Sequence, residues 1–189
     1  MNWEEVEKEA LSCKKCELWK SRTNVVFGDG PKDAKIMFIG EAPGFYEDKQ
    51  GKPFVGKAGK LLTELLNKIG IQRNEVYITN IVKCRPPNNR DPLPEEVKAC
   101  YPYLDFQINH IKPKVIVPLG RHAAKLILEK YGLEFEGISK EHGKIHEVST
   151  LFGKIYIIPM YHPAAAIYNQ YLRPTLEKDF EAIRNLFKE

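Results

Sequence analysis

The amino-acid sequence predicts a single α/β domain of three layers spanning 1–189, with a parallel sheet of four strands covered by helices on both faces. A chain of 189 residues falls within the roughly 100–200 residues typical of one domain. Four short apolar runs alternate with segments of helical periodicity, an alternation that is typical of parallel sheets. The runs are hydrophobic almost throughout, as strands buried on both faces are.

The predicted elements follow in chain order. The first is a short helix over Asn2–Leu11. The four strands are predicted at Lys35–Gly40, Val76–Lys83, Val115–Gly120 and Ile155–Met160. A helix between the first two strands is indicated by apolar residues at helical spacing, and Gly70 ends it; these residues are Leu61, Leu62, Leu65, Leu66 and Ile69.

Three further helices are predicted after the second strand. Pro94–Ile111 begins with a proline and two glutamates, which favour a helix N-terminus. The other two are Gly120–Tyr131 and Pro174–Phe187. The segment 132–154 is rich in glycine and charge and predicts a hairpin or an irregular excursion.

Composition sets broad limits on function. The net charge is +4, which permits an anionic partner without requiring one. No apolar run reaches the ~18 residues of a membrane helix, and the N-terminus does not resemble a signal peptide. We therefore expect a cytoplasmic protein with no membrane partner.

Four cysteines suggest a metal site. Cys13 and Cys16 form a C-x2-C pair, and Cys84 and Cys100 follow far along the chain. Structural zinc usually joins two short cysteine pairs, so this looser spacing favours an iron–sulfur cluster, with zinc or buried free thiols as alternatives. The segment after Cys84 carries arginines, and a cluster there would brace a basic loop against a phosphate backbone.

Polar residues stand at the carboxyl ends of the predicted strands, where α/β proteins bind ligands. Glu41 follows the first strand, Asn80 interrupts the apolar second strand, and His162 follows the fourth. Phe54 lies between the first strand and its helix. Together they indicate a pocket for a small planar ligand, although each side chain alone is equally consistent with a structural role. The other histidines are predicted to lie outside this site: His110, His122, His142 and His146.

Several motifs, taken together, resemble the iron–sulfur uracil-DNA glycosylases, the fourth class of the uracil-DNA glycosylase superfamily. The matching segments are GEAPGFYED at 40–48, GKPFVGKAGKLL at 51–62, TNIVKCRPPNNRDP at 79–92 and HPAA at 162–165. The resemblance implies a four-stranded parallel sheet, removal of uracil from DNA, and a structural [4Fe–4S] cluster on the four cysteines. A neighbouring class lacks an acid after the first glycine, so Glu41 favours the uracil-preferring class.

The resemblance also implies roles within the pocket. Phe54 stacks on a flipped uracil, and Asn80 contacts its N3 and O4. His162 stabilises negative charge on O2, while Glu41 positions water or stabilises the sugar cation. Backbone N–H groups at Gly40, Ala42 and Gly44 approach the base, and the thymine methyl group is refused near Glu47.

DNA contacts are expected outside the pocket. Ile167 is the first candidate for a wedge that fills the vacated stack, and Tyr168 is the second. Arg85, Arg90 and Arg173 are candidate phosphate contacts. An ordinary helix start is the alternative interpretation of the segment after His162.

The sequence therefore predicts a monofunctional uracil-DNA glycosylase, since no lysine is clearly placed for a Schiff base. It would act on uracil in double- and single-stranded DNA as a monomer, and a replication clamp is a further candidate partner. Two alternatives stay open: a glycosylase of broader damaged-base specificity and a cluster-bearing nucleic-acid-binding protein.

Overall fold

The computed structural model describes residues 1–187. Its centre is a five-stranded sheet in the order β2-β1-β3-β5-β4. The strands are β1 (Ile36–Gly40), β2 (Tyr77–Asn80), β3 (Val115–Pro118), β4 (His146–Thr150) and β5 (Gly153–Ile157).

The predicted parallel α/β sheet is confirmed, with one strand added. β1 pairs in parallel with β2 and β3, and β3 pairs in parallel with β5. The addition is β4, which pairs antiparallel with β5, so the segment 132–154 does contain the expected hairpin. The fourth parallel strand begins earlier than predicted because Gly153 and Lys154 pair with β4 in that hairpin.

Register places the polar strand ends side by side. Gly40 at the end of β1 is opposite Asn80 at the end of β2. On the other side of β1, Ile39 is opposite Pro118, and the chain beyond β3 pairs with the chain beyond β5 through Leu119 and Met160. The segments carrying Glu41, Asn80 and His162 therefore all leave the same edge of the sheet.

Eight α-helices surround the sheet within the described residues. They are α1 (Trp3–Leu11), α2 (Phe45–Gln50), α3 (Lys57–Lys68), α4 (Pro94–Ile111), α5 (Arg121–Lys130), α6 (Ile138–Glu141), α7 (Pro163–Tyr168) and α8 (Leu172–Leu186). All five predicted helices are present, and α2, α6 and α7 are additions. No helix of the described chain is long and apolar enough to cross a membrane.

The core has two halves, one on each face of the sheet. Residues of α1, α4 and α5 pack on one face, where the Trp3 ring meets Phe27 and Tyr77 edge-on, each with a centroid distance of 5.6 Å. Residues of α3, α7 and α8 pack on the other, where Phe38 stacks on Phe180 at 5.8 Å. This arrangement is the predicted three-layer α/β/α architecture.

Candidate active site and cysteine site

A cleft of about 410 Å³ opens at the carboxyl ends of the parallel strands. Six of the predicted pocket residues line it: Ala42, Gly44, Glu47, Phe54, Asn80 and His162. Its volume is within the range of small-molecule sites. The convergence expected from the sequence is therefore present in the fold.

His162 is held as a neutral hydrogen-bond donor. It caps the N-terminus of α7, where its Nδ1 accepts the backbone N–H of Ala164 at 3.0 Å. Burial lowers the pKa of His162 to about 4, so the ring is uncharged near neutral pH. Because Nδ1 is an acceptor, the single ring proton lies on Nε2, which is then a donor.

Asn80 presents an amide that no protein group satisfies. The residue is only 2% exposed, and its backbone carbonyl accepts a hydrogen bond from Lys83 Nζ at 2.9 Å. Asn80 lines the cleft, and its side chain makes no hydrogen bond to another group of residues 1–187. A ligand in the cleft would supply a partner.

Gly40 leaves room for this amide and for the aromatic ring beside it. A Cβ atom on Gly40 would lie 2.5 Å from Asn80 Oδ1 and 2.7 Å from the Phe54 ring. The Phe54 ring also stacks on His162 at 5.4 Å between centroids. The ring, the amide and the imidazole therefore form one contiguous wall.

Glu41 lies beside this wall, against the start of α5. A Cβ atom on Gly120, whose φ is +91°, would be 2.5 Å from Glu41 Oε1. Burial raises the pKa of Glu41, while the charge and the backbone N–H of His122 oppose that rise. Since a helix N-terminus also favours negative charge, Glu41 is a half-buried carboxyl whose ionisation depends on α5.

His122, which is predicted to lie outside the site, lies close to Glu41 in the structure. A ring nitrogen of His122, a carboxylate oxygen of Glu41 and a carboxylate oxygen of Asp91 lie within 4.8 Å of one another. No other three His, Cys, Asp or Glu residues of the described chain are this close. Arg121 donates to Asp91 at 2.9 Å and so already supplies positive charge there. β3 runs beside β1, and the first turn of α5 therefore lands next to Glu41, which sequence spacing alone does not reveal.

The Glu47 carboxylate accepts hydrogen bonds from three backbone N–H groups. Its Oε1 accepts from Gly44 at 3.0 Å, and its Oε2 accepts from Val55 and Gly56 at 3.0 and 2.9 Å. The carboxylate thus joins the loop after β1 to the loop before α3. Its proximity to the cleft agrees with the predicted position, and its oxygens brace the walls.

The rim of the cleft carries exposed apolar side chains. Ile167 and Tyr168 line one side and are 44% and 91% exposed. Phe45 and Tyr46, on the unpredicted helix α2, line the cleft as well and are also exposed. A short helix was missed there because its six residues give too little periodicity.

The three predicted phosphate contacts all have partners within the protein. Arg85 donates to Asn89 at 2.7 Å. Arg90 makes a two-pronged ion pair with Glu96, at 2.8 and 2.9 Å. Arg173 bonds to two glutamates, Glu64 at 2.9 Å and Glu177 at 3.2 Å.

The four cysteines face one another around a small enclosed cavity. None is in a disulfide. Burial raises the pKa of Cys16 and Cys84, and that of Cys100 to about 11. Buried thiols of this kind become thiolate ligands when a metal compensates their charge.

Donors around the sulfurs fit an iron–sulfur group. The backbone N–H of Lys83 points to Cys100 Sγ at 3.3 Å, and Arg22 Nη1 points to Cys84 Sγ at 3.5 Å. Hydrogen bonds to sulfur are a usual feature of such clusters. The buried Tyr103 hydroxyl lines the same cavity and lacks a partner within residues 1–187.

The spread of the sulfurs argues against a single zinc ion. Tetrahedral zinc with Zn–S bonds of about 2.3 Å brings its sulfurs to about 3.8 Å from one another. No three of these four sulfurs lie within 4.8 Å of one another among the described residues. The sulfurs therefore lack the close packing that a single zinc ion requires.

Comparisons with known proteins agree with the fold. The model of the uracil DNA glycosylase superfamily matches residues 27–188, and the chain belongs to this superfamily. It is 55% identical to a Type-4 uracil-DNA glycosylase of Sulfurisphaera tokodaii, over 97% of this chain and 84% of that protein. A Type-4 uracil-DNA glycosylase of Archaeoglobus fulgidus is 52% identical, over 97% of this chain and 92% of that protein.

The resemblance extends to bacteria and separates two classes. A Type-4 uracil-DNA glycosylase of Thermotoga maritima is 45% identical, over 97% of this chain and 94% of that protein. A Type-5 uracil-DNA glycosylase of Thermus thermophilus is 31% identical, over 71% and 67%. The predicted resemblance to the fourth class is therefore confirmed.

Proposed function

We propose that the protein excises uracil from DNA by hydrolysing its N-glycosidic bond without cutting the strand. The observation that carries the proposal is the unpaired amide of Asn80, buried beside Phe54 and a neutral His162. An amide has one acceptor and one donor, which match the N3–H and O4 of uracil. Cytosine presents the reverse pattern on the same edge.

The target nucleotide must leave the duplex to reach this cleft. Flipping costs a few kcal/mol, and least where the base is already mispaired, as in U·G. Phe54 offers a face on which the extruded base stacks. The exposed Ile167 and Tyr168 are placed at the rim, where a wedge would occupy the vacated position.

Bond cleavage requires charge complementarity at both products. As C1′–N1 breaks, its electron pair moves onto uracil, and His162 donates Nε2–H to the developing negative charge on O2. A water molecule bonds to C1′ and gives its proton to the Glu41 carboxylate. The low pKa of His162 suits this role, because the ring is neutral near neutral pH and keeps its single proton on Nε2, where it can be donated to O2.

The cysteines would hold a [4Fe–4S] cluster through Cys13, Cys16, Cys84 and Cys100. Such a cluster supplies a cross-link between the N-terminal segment and the loop that follows Cys84. That loop carries Asp91, which bonds to Arg121 beside Glu41. The role we assign to the cluster is therefore to fix the position of this loop.

The test is single-turnover release of uracil from a duplex with one U·G pair, with a T·G duplex as the control. We expect excision from U·G alone, loss of that excision in Asn80→Ala, and strand breakage only after alkali. Lys57 lines the cleft, so borohydride trapping must accompany the assay. A trapped enzyme–DNA adduct would contradict the monofunctional mechanism, and no release despite DNA binding would leave a nucleic-acid-binding protein.

Two expectations about partners stay predictions. A monomeric state is checked by light scattering of the purified protein. Binding to a replication clamp is checked by titration of the protein with the clamp, and no residue described above favours it over other partners.

A further inference from the structure

Phe54 has a backbone conformation that an aromatic residue rarely adopts. Its φ is +50°, in the left-handed region that side chains with a Cβ disfavour. Helix α3 packs directly on this peptide, because a Cβ atom on Gly59 would lie 1.8 Å from the Phe54 carbonyl oxygen. Such a conformation persists only where the surroundings enforce it.

Two side chains of opposite charge hold the segment from both sides. Arg73 Nη2 and Nη1 donate to the carbonyl oxygens of Pro53 and Phe54, at 2.6 Å each. Glu47 accepts from the next two N–H groups along the chain, as described above. Three consecutive peptide groups, 53–54, 54–55 and 55–56, are therefore fixed by one guanidinium and one carboxylate.

The positive charge of Arg73 faces the backbone of this loop. No carboxylate lies within 4.0 Å of its guanidinium among the described residues, so it makes no ion pair there. Its one further contact is Thr63 Oγ1 at 3.2 Å. The planar fork of an arginine meets two adjacent carbonyls at once, which the single ammonium of lysine does not.

We propose that Arg73 is a positioning residue for base recognition, whose guanidinium fork fixes the Phe54 ring as the stacking face for uracil. The proposal rests on the proposed function. Without the guanidinium fork, the carbonyl oxygens of Pro53 and Phe54 lose two charge-assisted hydrogen bonds, and Phe54 is free to relax toward negative φ. The ring would then leave the wall that it shares with Asn80 and His162.

The first experiment compares Arg73→Lys with Arg184→Lys, a matched replacement on the exposed part of α8. We expect the single-turnover rate on U·G to fall about 100-fold in Arg73→Lys, as for a reacting group misplaced by about 1 Å. Inhibition by free uracil should weaken as well, while affinity for DNA with an abasic site is unchanged. Arg184→Lys should match the wild type in all three measurements.

A double-mutant cycle separates positioning from general support of the fold. If Arg73 acts through the Phe54 ring, Arg73→Lys should lower the rate no further in a Phe54→Ala background. A full 100-fold loss in that background would overturn the proposal, and so would a wild-type rate for Arg73→Lys alone.

Arg73→Gln, which keeps one N–H donor for the loop, serves if the lysine variant does not fold. Failure of both variants to fold would also overturn the proposal, because Arg73 would then support the whole core. If wild-type protein releases no uracil, the proposed function fails first.

Discussion

Replacing His122 with glutamine tests whether the ionisation of Glu41 limits the reaction at low pH. Burial raises the pKa of Glu41 above its ordinary value of 4.5, and a positive charge on His122 opposes that rise. Glutamine removes the charge and retains the backbone N–H. Because Glu41 acts as a carboxylate in the proposed mechanism, we expect activity above its pKa and loss of activity as the pH falls through it.

The expected shift follows from the geometry. A carboxylate oxygen of Glu41 and a ring nitrogen of His122 lie within 4.8 Å of each other. Unit charges at that separation interact by about 3.5 kcal/mol at an effective dielectric of 20 and by about 0.9 kcal/mol in water. The His122 side chain is 32% exposed, so the lower part of this range applies. Removing the His122 charge therefore costs the Glu41 carboxylate about 1 kcal/mol of stabilisation and raises the pKa of Glu41.

The assay is the single-turnover rate on a U·G duplex between pH 4 and 8. His122→Gln should move the acid limb of the profile to higher pH, and Glu41→Gln should remove the Glu41-dependent limb together with most of the activity. The pKa of His162 is about 4, so the limb due to His162 lies at lower pH than the limb due to Glu41. His110→Gln, a histidine outside the site, is the matched control. An unmoved acid limb, or one moved to lower pH, would refute this account of Glu41.

Three further outcomes follow from the site. Gly40→Ala should fold, at a cost of about 1–3 kcal/mol for overpacking. It should nevertheless lose about 100-fold in rate on U·G, because its Cβ would displace Asn80 and Phe54. A wild-type rate would show that the cleft wall is not where uracil binds. Cys100→Ser should lose bound iron and visible absorbance and melt at lower temperature, whereas equal iron content in both proteins would contradict the cluster. Tyr168→Ala should slow excision from duplex DNA more than from single-stranded DNA, since a wedge acts only on a stack; equal effects on both substrates would rule that role out.

Much of the fold is predictable because its signals are local. The β1 run from Ile36 to Gly40 is apolar at every position, which only a strand buried on both faces requires. Helix α4 begins at Pro94, as the proline and acids of its first turn indicate. Helix α2 is not predictable, because a six-residue helix carries weak periodicity. Segment 132–154 indicates a hairpin but not the bounds of its strand β4, which is half-exposed at the edge of the sheet.

The site divides in the same way. Asn80 and His162 could be predicted because a polar residue in or directly after an apolar strand is itself unusual. Arg73 could not, since it lies nineteen residues after Phe54 and holds that segment through backbone carbonyls, which any sequence provides. His122 could not either, because a histidine in the first turn of a helix has many ordinary explanations.

The sequence by itself determined the class of fold, the chemical groups of the pocket and the presence of four cysteines, because each depends on local patterns or on the types of residue present. Tertiary structure alone decided which charges surround Glu41, which arginine holds Phe54, and how widely the cysteine sulfurs are spread. These depend on which strands are neighbours in the sheet. The order β2-β1-β3 brings the start of α5 beside Glu41, and contacts of that kind join residues far apart along the chain.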